Sequence, residues 1–214
     1  MAQPSEFPTD EPRVIDEPSS WFEENRKGIF AAIVLILVLS CAGVWWWQAR
    51  EARESQASAL LIEATGPADW QKIADTYAGT PSAPLALMRL AQASRDKSEW
   101  DASLSLTDRF IREYPRHPFF PAMQLARAQT LEAAGRTDEA LRAYEAIQSA
   151  KPSHPLIGAA VLGLARIHEA KGNLTAARNV LSDFLARDRA SVYTAEASQK
   201  LKSLPEAPAA AQAP

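Results

Sequence analysis

The chain has 214 residues, 47% from the apolar AVILMFWYC set and 23% charged, values that fit a folded core. Its 23 Lys and Arg against 26 Asp and Glu leave a net charge of −3, which excludes a dedicated nucleic-acid binder, because no basic excess is there to hold a phosphate backbone. One Cys excludes an internal disulfide and a multi-cysteine zinc site, and three His with eight Gly leave little material for metal catalysis or phosphate-cradling loops.

The charge is unevenly spread. Residues 1–27 carry seven acids (Glu6, Asp10, Glu11, Asp16, Glu17, Glu23 and Glu24) against Arg13, Arg26 and Lys27. This stretch is Pro-rich and short of aliphatic side chains, so it buries too little apolar surface to offset its ordering entropy and is expected to be disordered.

Ile29 to Trp47 then reads IFAAIVLILVLSCAGVWWW, 19 residues without a charge. A helix of that length covers roughly 28 Å, close to the hydrocarbon thickness of a bilayer. Ile29 and Leu37 lie in the apolar run, Trp45, Trp46 and Trp47 form an aromatic belt at one end, and Trp21 and Phe22 precede the other. A membrane anchor is predicted. A cleaved signal peptide would have a short basic leader, whereas here the preceding segment is long and acidic. Val38-Leu39-Ser40-Cys41 approaches a lipobox, with Cys41 as an inert small apolar residue the other reading. Arg26 and Lys27, with Arg13 further out, nearly tie with Arg50 and Arg53 across the span, and lean toward a cytoplasmic N-terminus with the larger C-terminal part outside.

Gln48 to Glu63 continues as helix, Gly66-Pro67 breaks it, and Ala68 to Tyr77 spaces Trp70, Ile73 and Tyr77 at helical intervals. From residue 82 the chain repeats. Pro115-Arg116-His117-Pro118 returns as Pro152-Ser153-His154-Pro155, Gly135 as Gly172 and Ala140 as Ala177, each 37 residues on. Ala102 stands 38 before Ala140, so the first unit reads one residue out of register. Each unit is an apolar helix, a polar turn, a second helix and a Pro-containing exit. The turns are Asp96-Lys97-Ser98, Gly135-Arg136-Thr137 and Gly172-Asn173-Leu174. Second helices show apolar stripes at Leu106, Phe110 and Tyr114, at Ala140, Tyr144 and Ile147, and at Ala177, Leu181 and Phe184. Ser191 to Leu204, with Tyr193, Ala197 and Leu201 on one face, is the expected end cap.

These units resemble tetratricopeptide repeats lengthened to about 37 residues. Gly135, Ala140, Tyr144 and Pro152 fall at that family's Gly, small, aromatic and Pro places, and Leu164, Ala165, Gly172, Ala177 and Leu181 match in the third unit. The first unit offers Leu90, Ala102 and Pro115 without the Gly, the third has Arg189 for the Pro, and no unit carries the early Trp. The expected fold is all-α: a single N-terminal transmembrane helix, then a tetratricopeptide-repeat-like array with a C-terminal capping helix. Its divisions are an acidic tail over 1–27, the span over 28–47, a helical linker and N-terminal cap over 48–81, repeats with the cap over 82–204 and an Ala/Pro tail over 205–214.

No catalytic or metal-binding constellation is visible, so no enzyme and no cofactor are expected. His117 and His154 take equivalent places before a Pro that opens the next helix, and His168 sits on a helix beside Glu169. The resemblance instead implies a groove along the first helices. It places Leu87, Leu125 and Leu162 there, with Ala91, Gln129 and Arg166 beside them and Glu132 and Glu169 one turn later. A leucine row would take an apolar segment of a partner protein; the same leucines would equally pack helix against helix. The whole plan, with Trp21-Phe22-Glu23-Glu24-Asn25 before Asn25-Arg26-Lys27-Gly28, is similar to the YfgM-type ancillary subunits of the bacterial Sec translocon. That resemblance implies an inner-membrane protein with one span, a periplasmic domain, and translocon subunits, a periplasmic chaperone or emerging polypeptides as partners. A cell-envelope assembly scaffold, lipidated at Cys41, is the alternative.

Overall fold

The structure is a computed structural model that describes residues 25–150 and 155–205. The acidic segment over 1–24, Trp21 and Phe22, the Pro152-Ser153-His154 turn and all but Pro205 of the Ala/Pro tail lie outside the described residues. Every regular element among those described is an α-helix.

The chain divides into two units, Met1–Ala52 and Arg53–Pro214. Helix α1 (Arg26–Glu63) is 38 residues long, and its residues up to Ala52 make up the described helix of the first unit. Arg26 and Lys27, read from the sequence as tail, already belong to it. This part has no polar face and no core. Its apolar side chains stand free, with Phe30 63%, Leu37 58% and Trp45 72% exposed, and the most apolar 18-residue window buries nothing. Water would penalise such a surface, whereas hydrocarbon would not, so the helix is long and apolar enough to cross a membrane. Cys41 is exposed within it, and Arg50 lies over the Trp46 ring at 5.7 Å.

The second unit is a sequential stack of helical hairpins. The last turns of α1 pair with α2 (Pro67–Thr76): Ala57 is buried, Leu60, Leu61 and Ala64 pack against the cluster containing Ile73 and Ala74, and Arg53 donates to the Thr76 carbonyl at 3.1 Å. Pro67 opens α2 because the first helical position needs no N–H. Three hairpins follow: α3 (Ser82–Asp96) with α4 (Trp100–Glu113), α5 (Phe120–Ala133) with α6 (Thr137–Ser149), and α7 (Ile157–Ala170) with α8 (Leu174–Arg187). Helix α9 (Thr194–Ser203) closes the stack, burying Ala197 and, just beyond it, Leu204. Arg178 on α8 holds that end by donating to the carbonyls of Leu204 at 2.7 Å and Pro205 at 2.9 Å.

One turn joins the helices of every hairpin. Ser98, Gly135 and Gly172 all take positive φ (61°, 74° and 74°). The next residue's N–H reaches five back each time, Glu99 to Ser94, Arg136 to Leu131 and Asn173 to His168, at 2.8–2.9 Å. This arrangement ties up carbonyls that a helix end leaves orphaned. It also corrects the register: Ser98 stands 37 before Gly135, so the first unit is in step and carries Ser where the others carry Gly. Its small contact residue is accordingly Ser103, which is buried, and not Ala102, which is exposed. The stripe buried by α4 runs through Ser103, Thr107 and Phe110. Leu106 and Tyr114 are only partly buried at its side.

Candidate functional site

Helix α5 packs on α7, and α7 on α9, while no comparable contact joins α4 to α6 or α6 to α8 among the described residues. Helices α5, α7 and α9 are therefore the closer row in that part of the array. In the corrected register the first helices carry, at equivalent places, Met88, Leu125 and Leu162, then Gln92, Gln129 and Arg166, then Arg95, Glu132 and Glu169.

The expected leucine row has a different place. Leu87 is fully buried in a cluster with Ile73, Ala74 and Leu90. Leu162 is 9% exposed and packs with Val161, Ala165 and Leu181. Leu125 is partly buried against the central cluster. Leu87 moved because the sequence placed it one residue out of step; Met88 holds its equivalent position, and Gln92, not Ala91, lines up with Gln129 and Arg166. Packing explains Leu87 and Leu162, so neither presents a free apolar row.

Polar rungs tie neighbouring first helices. Arg166 donates to both oxygens of Glu132 at 2.5 and 2.8 Å, and the Tyr144 hydroxyl donates to Glu132 at 2.8 Å. The equivalent rung in the preceding interface is Arg95 to Gln129 at 3.4 Å, and the following one is Lys200 to Glu169 at 2.5 Å. Burial pushes the Glu132 carboxyl up, but the bonds from Arg166 and Tyr144 outweigh it and hold the group below its ordinary range. The Tyr144 phenol moves up, chiefly through burial and then through its bond to Glu132. This face thus satisfies most of its own charges.

An open apolar cleft of about 450 Å³ interrupts it between α3 and α5. Met88 and Ala91 form one wall, Met123 and Ala126 the other, and Ser103 and Thr107 of α4 lie at the base. Arg89 and Arg95 stand at the rim. Sequence reading missed Met88, Thr107 and Arg95; the 37-residue step from Ser98 to Gly135 was the signal that finds them.

No group of three His, Cys, Asp or Glu able to hold a metal occurs among the described residues. His117 sits in the α4–α5 turn, edge-on to Phe110 at 5.4 Å, its Nδ1 accepting from the Phe119 N–H at 3.2 Å. His168 is half-buried on α7, and its Nδ1 has no hydrogen-bond partner.

The profile of the tetratricopeptide repeat-like domain family matches residues 19–200, a range covering the apolar helix and the array together. Among solved structures, a tetratricopeptide repeat protein from Parabacteroides merdae superposes with a TM-score of 0.52 at 16% identity, covering 72% of this chain and 59% of that one. This chain therefore spans less than two thirds of that protein. A putative kinesin light chain repeat protein from Podosopora anserina gives a TM-score of 0.49 at 20% identity, covering 71% and 82%. No curated protein matches the sequence.

Proposed function

This chain belongs to the tetratricopeptide repeat-like domain family, and we propose that it is a membrane-anchored scaffold that holds partner proteins beside the Sec translocon. The carrying observation is the contrast between the two units. One is a helix whose apolar side chains pack on nothing, the other an array whose apolar stripes are already buried. The first suits lipid, and the second offers the runged face of its first helices and the α3/α5 cleft to partners. The translocon assignment draws on the sequence resemblance, which also assigns the N-terminus to the cytoplasm and the array to the periplasm. Partners would be translocon subunits, a periplasmic chaperone or emerging polypeptides.

Affinity purification of the full-length protein from native membranes after mild crosslinking, followed by mass spectrometry, tests the reading. Enrichment of channel subunits and periplasmic folding factors is expected. Outer-membrane or cell-wall machinery in their place would refute the translocon assignment. An alkaline phosphatase fusion after Pro214 should be active, and an inactive fusion would overturn the topology.

A further inference from the structure

The two interfaces between successive hairpins differ in one way that explains the cleft. Between the second and third hairpins Tyr144 fills the space. Its ring lies on Gly163, where a Cβ would stand 2.5 Å from Cζ, and its hydroxyl ends on Glu132. A step of 37 residues carries Tyr144 onto Thr107, Gly163 onto Ala126 and Glu132 onto Arg95. Thr107 brings no ring, and its hydroxyl turns back onto the Ser103 carbonyl at 2.8 Å. The place of the tyrosine ring in one interface is the cleft in the other.

The polar end changes sign as well. Where the Tyr144 hydroxyl meets a carboxylate, the cleft presents the Arg95 guanidinium, whose bond across to α5 is a 3.4 Å contact with neutral Gln129. Exposed Arg89 stands beside it, and no carboxylate lines the cleft. We propose that the α3/α5 cleft is an anchor site for a partner protein that inserts one aromatic side chain and sets a carboxylate against Arg95 and Arg89. This rests on the scaffold reading and narrows it to a docking segment that is both aromatic and acidic. Met88 and Met123 suit the task, because thioether side chains adapt to a ring and pack favourably against it. A buried aromatic anchor with a charge-assisted bond at its edge concentrates binding energy in few residues.

Two of the three methionines line the cleft and the third is Met1, so a ¹³C-methyl-methionine spectrum of the full-length chain in nanodiscs reports occupancy directly. The probe is an acetylated, amidated helical peptide with one Phe flanked by Glu, titrated beside controls with Ala for Phe or Lys for Glu. The Met88 and Met123 signals should move with the Phe/Glu peptide and respond about tenfold more weakly to each control. The Thr107→Tyr/Ala126→Gly double variant rebuilds the neighbouring interface and should abolish the response while keeping the helical circular dichroism spectrum. Arg95→Glu should shift the preference to the Lys peptide. Equal responses to all three peptides, or an undiminished response in the double variant, would overturn the proposal. If the double variant keeps its crosslinked membrane partners, the cleft is refuted and the scaffold reading stands. If it loses them together with the methyl response, both are supported.

Discussion

Gly163→Ala probes the best-packed contact of the array. In a helix interior, Gly to Ala normally stabilises by about 1 kcal/mol. Here the new methyl would stand 2.5–2.8 Å from three ring carbons of Tyr144, which is fully buried and cannot swing into solvent. Overpacking of this kind costs about 1–3 kcal/mol, and a displaced ring also weakens the phenol bond to Glu132, worth about 1 kcal/mol. The expected net effect is a destabilisation of about 1–3 kcal/mol, or roughly 3–10 °C in Tm for a domain of this size. Thermal unfolding followed by circular dichroism measures it. The decisive comparison is a Tyr144→Thr background, which reproduces the side chain at Thr107. With the ring gone, Gly163→Ala should be neutral or stabilising by up to about 1 kcal/mol. A rise in Tm when Gly163→Ala is made in the otherwise native chain would refute the reasoning.

Three further outcomes follow from the structure. Ser98 holds a positive φ that glycine adopts without strain, so Ser98→Gly should stabilise by about 0.5–1 kcal/mol and Gly172→Ala should destabilise by about 1 kcal/mol, both read as shifts in Tm. Glu132 is held below its ordinary range, so its contribution is fully present above about pH 4.3 and is lost as pH falls through the lowered folded value. Melting curves between pH 6 and pH 3 should therefore be flatter for Glu132→Gln, and an unchanged slope would count against the rung. The full-length chain should require detergent for extraction, whereas residues 53–214 should fractionate as a soluble helical protein; a detergent requirement for both would contradict the lipid-facing assignment of the first unit.

The sequence by itself determined the helical class, the apolar helix, the hairpin repeat and the buried stripes of α6 and α8. Each rests on a local property: an uncharged run matched to bilayer thickness, a 3.6-residue apolar period, or a Gly or Pro whose backbone limits apply wherever it stands. Ala140, Tyr144, Ile147, Ala177, Leu181 and Phe184 were legible for that reason, and all are buried. Only the tertiary structure decided which residues take equivalent places on the first helices. Ser98 hides its equivalence to Gly135 because a serine in a left-handed turn leaves no compositional mark, and that one concealed residue shifted Leu87 into the place of Met88. The cleft was out of reach for the same kind of reason. It exists because Thr107 brings no ring to the place that Tyr144 fills in the next interface, and a gap between two helices is a property of what both sides fail to fill.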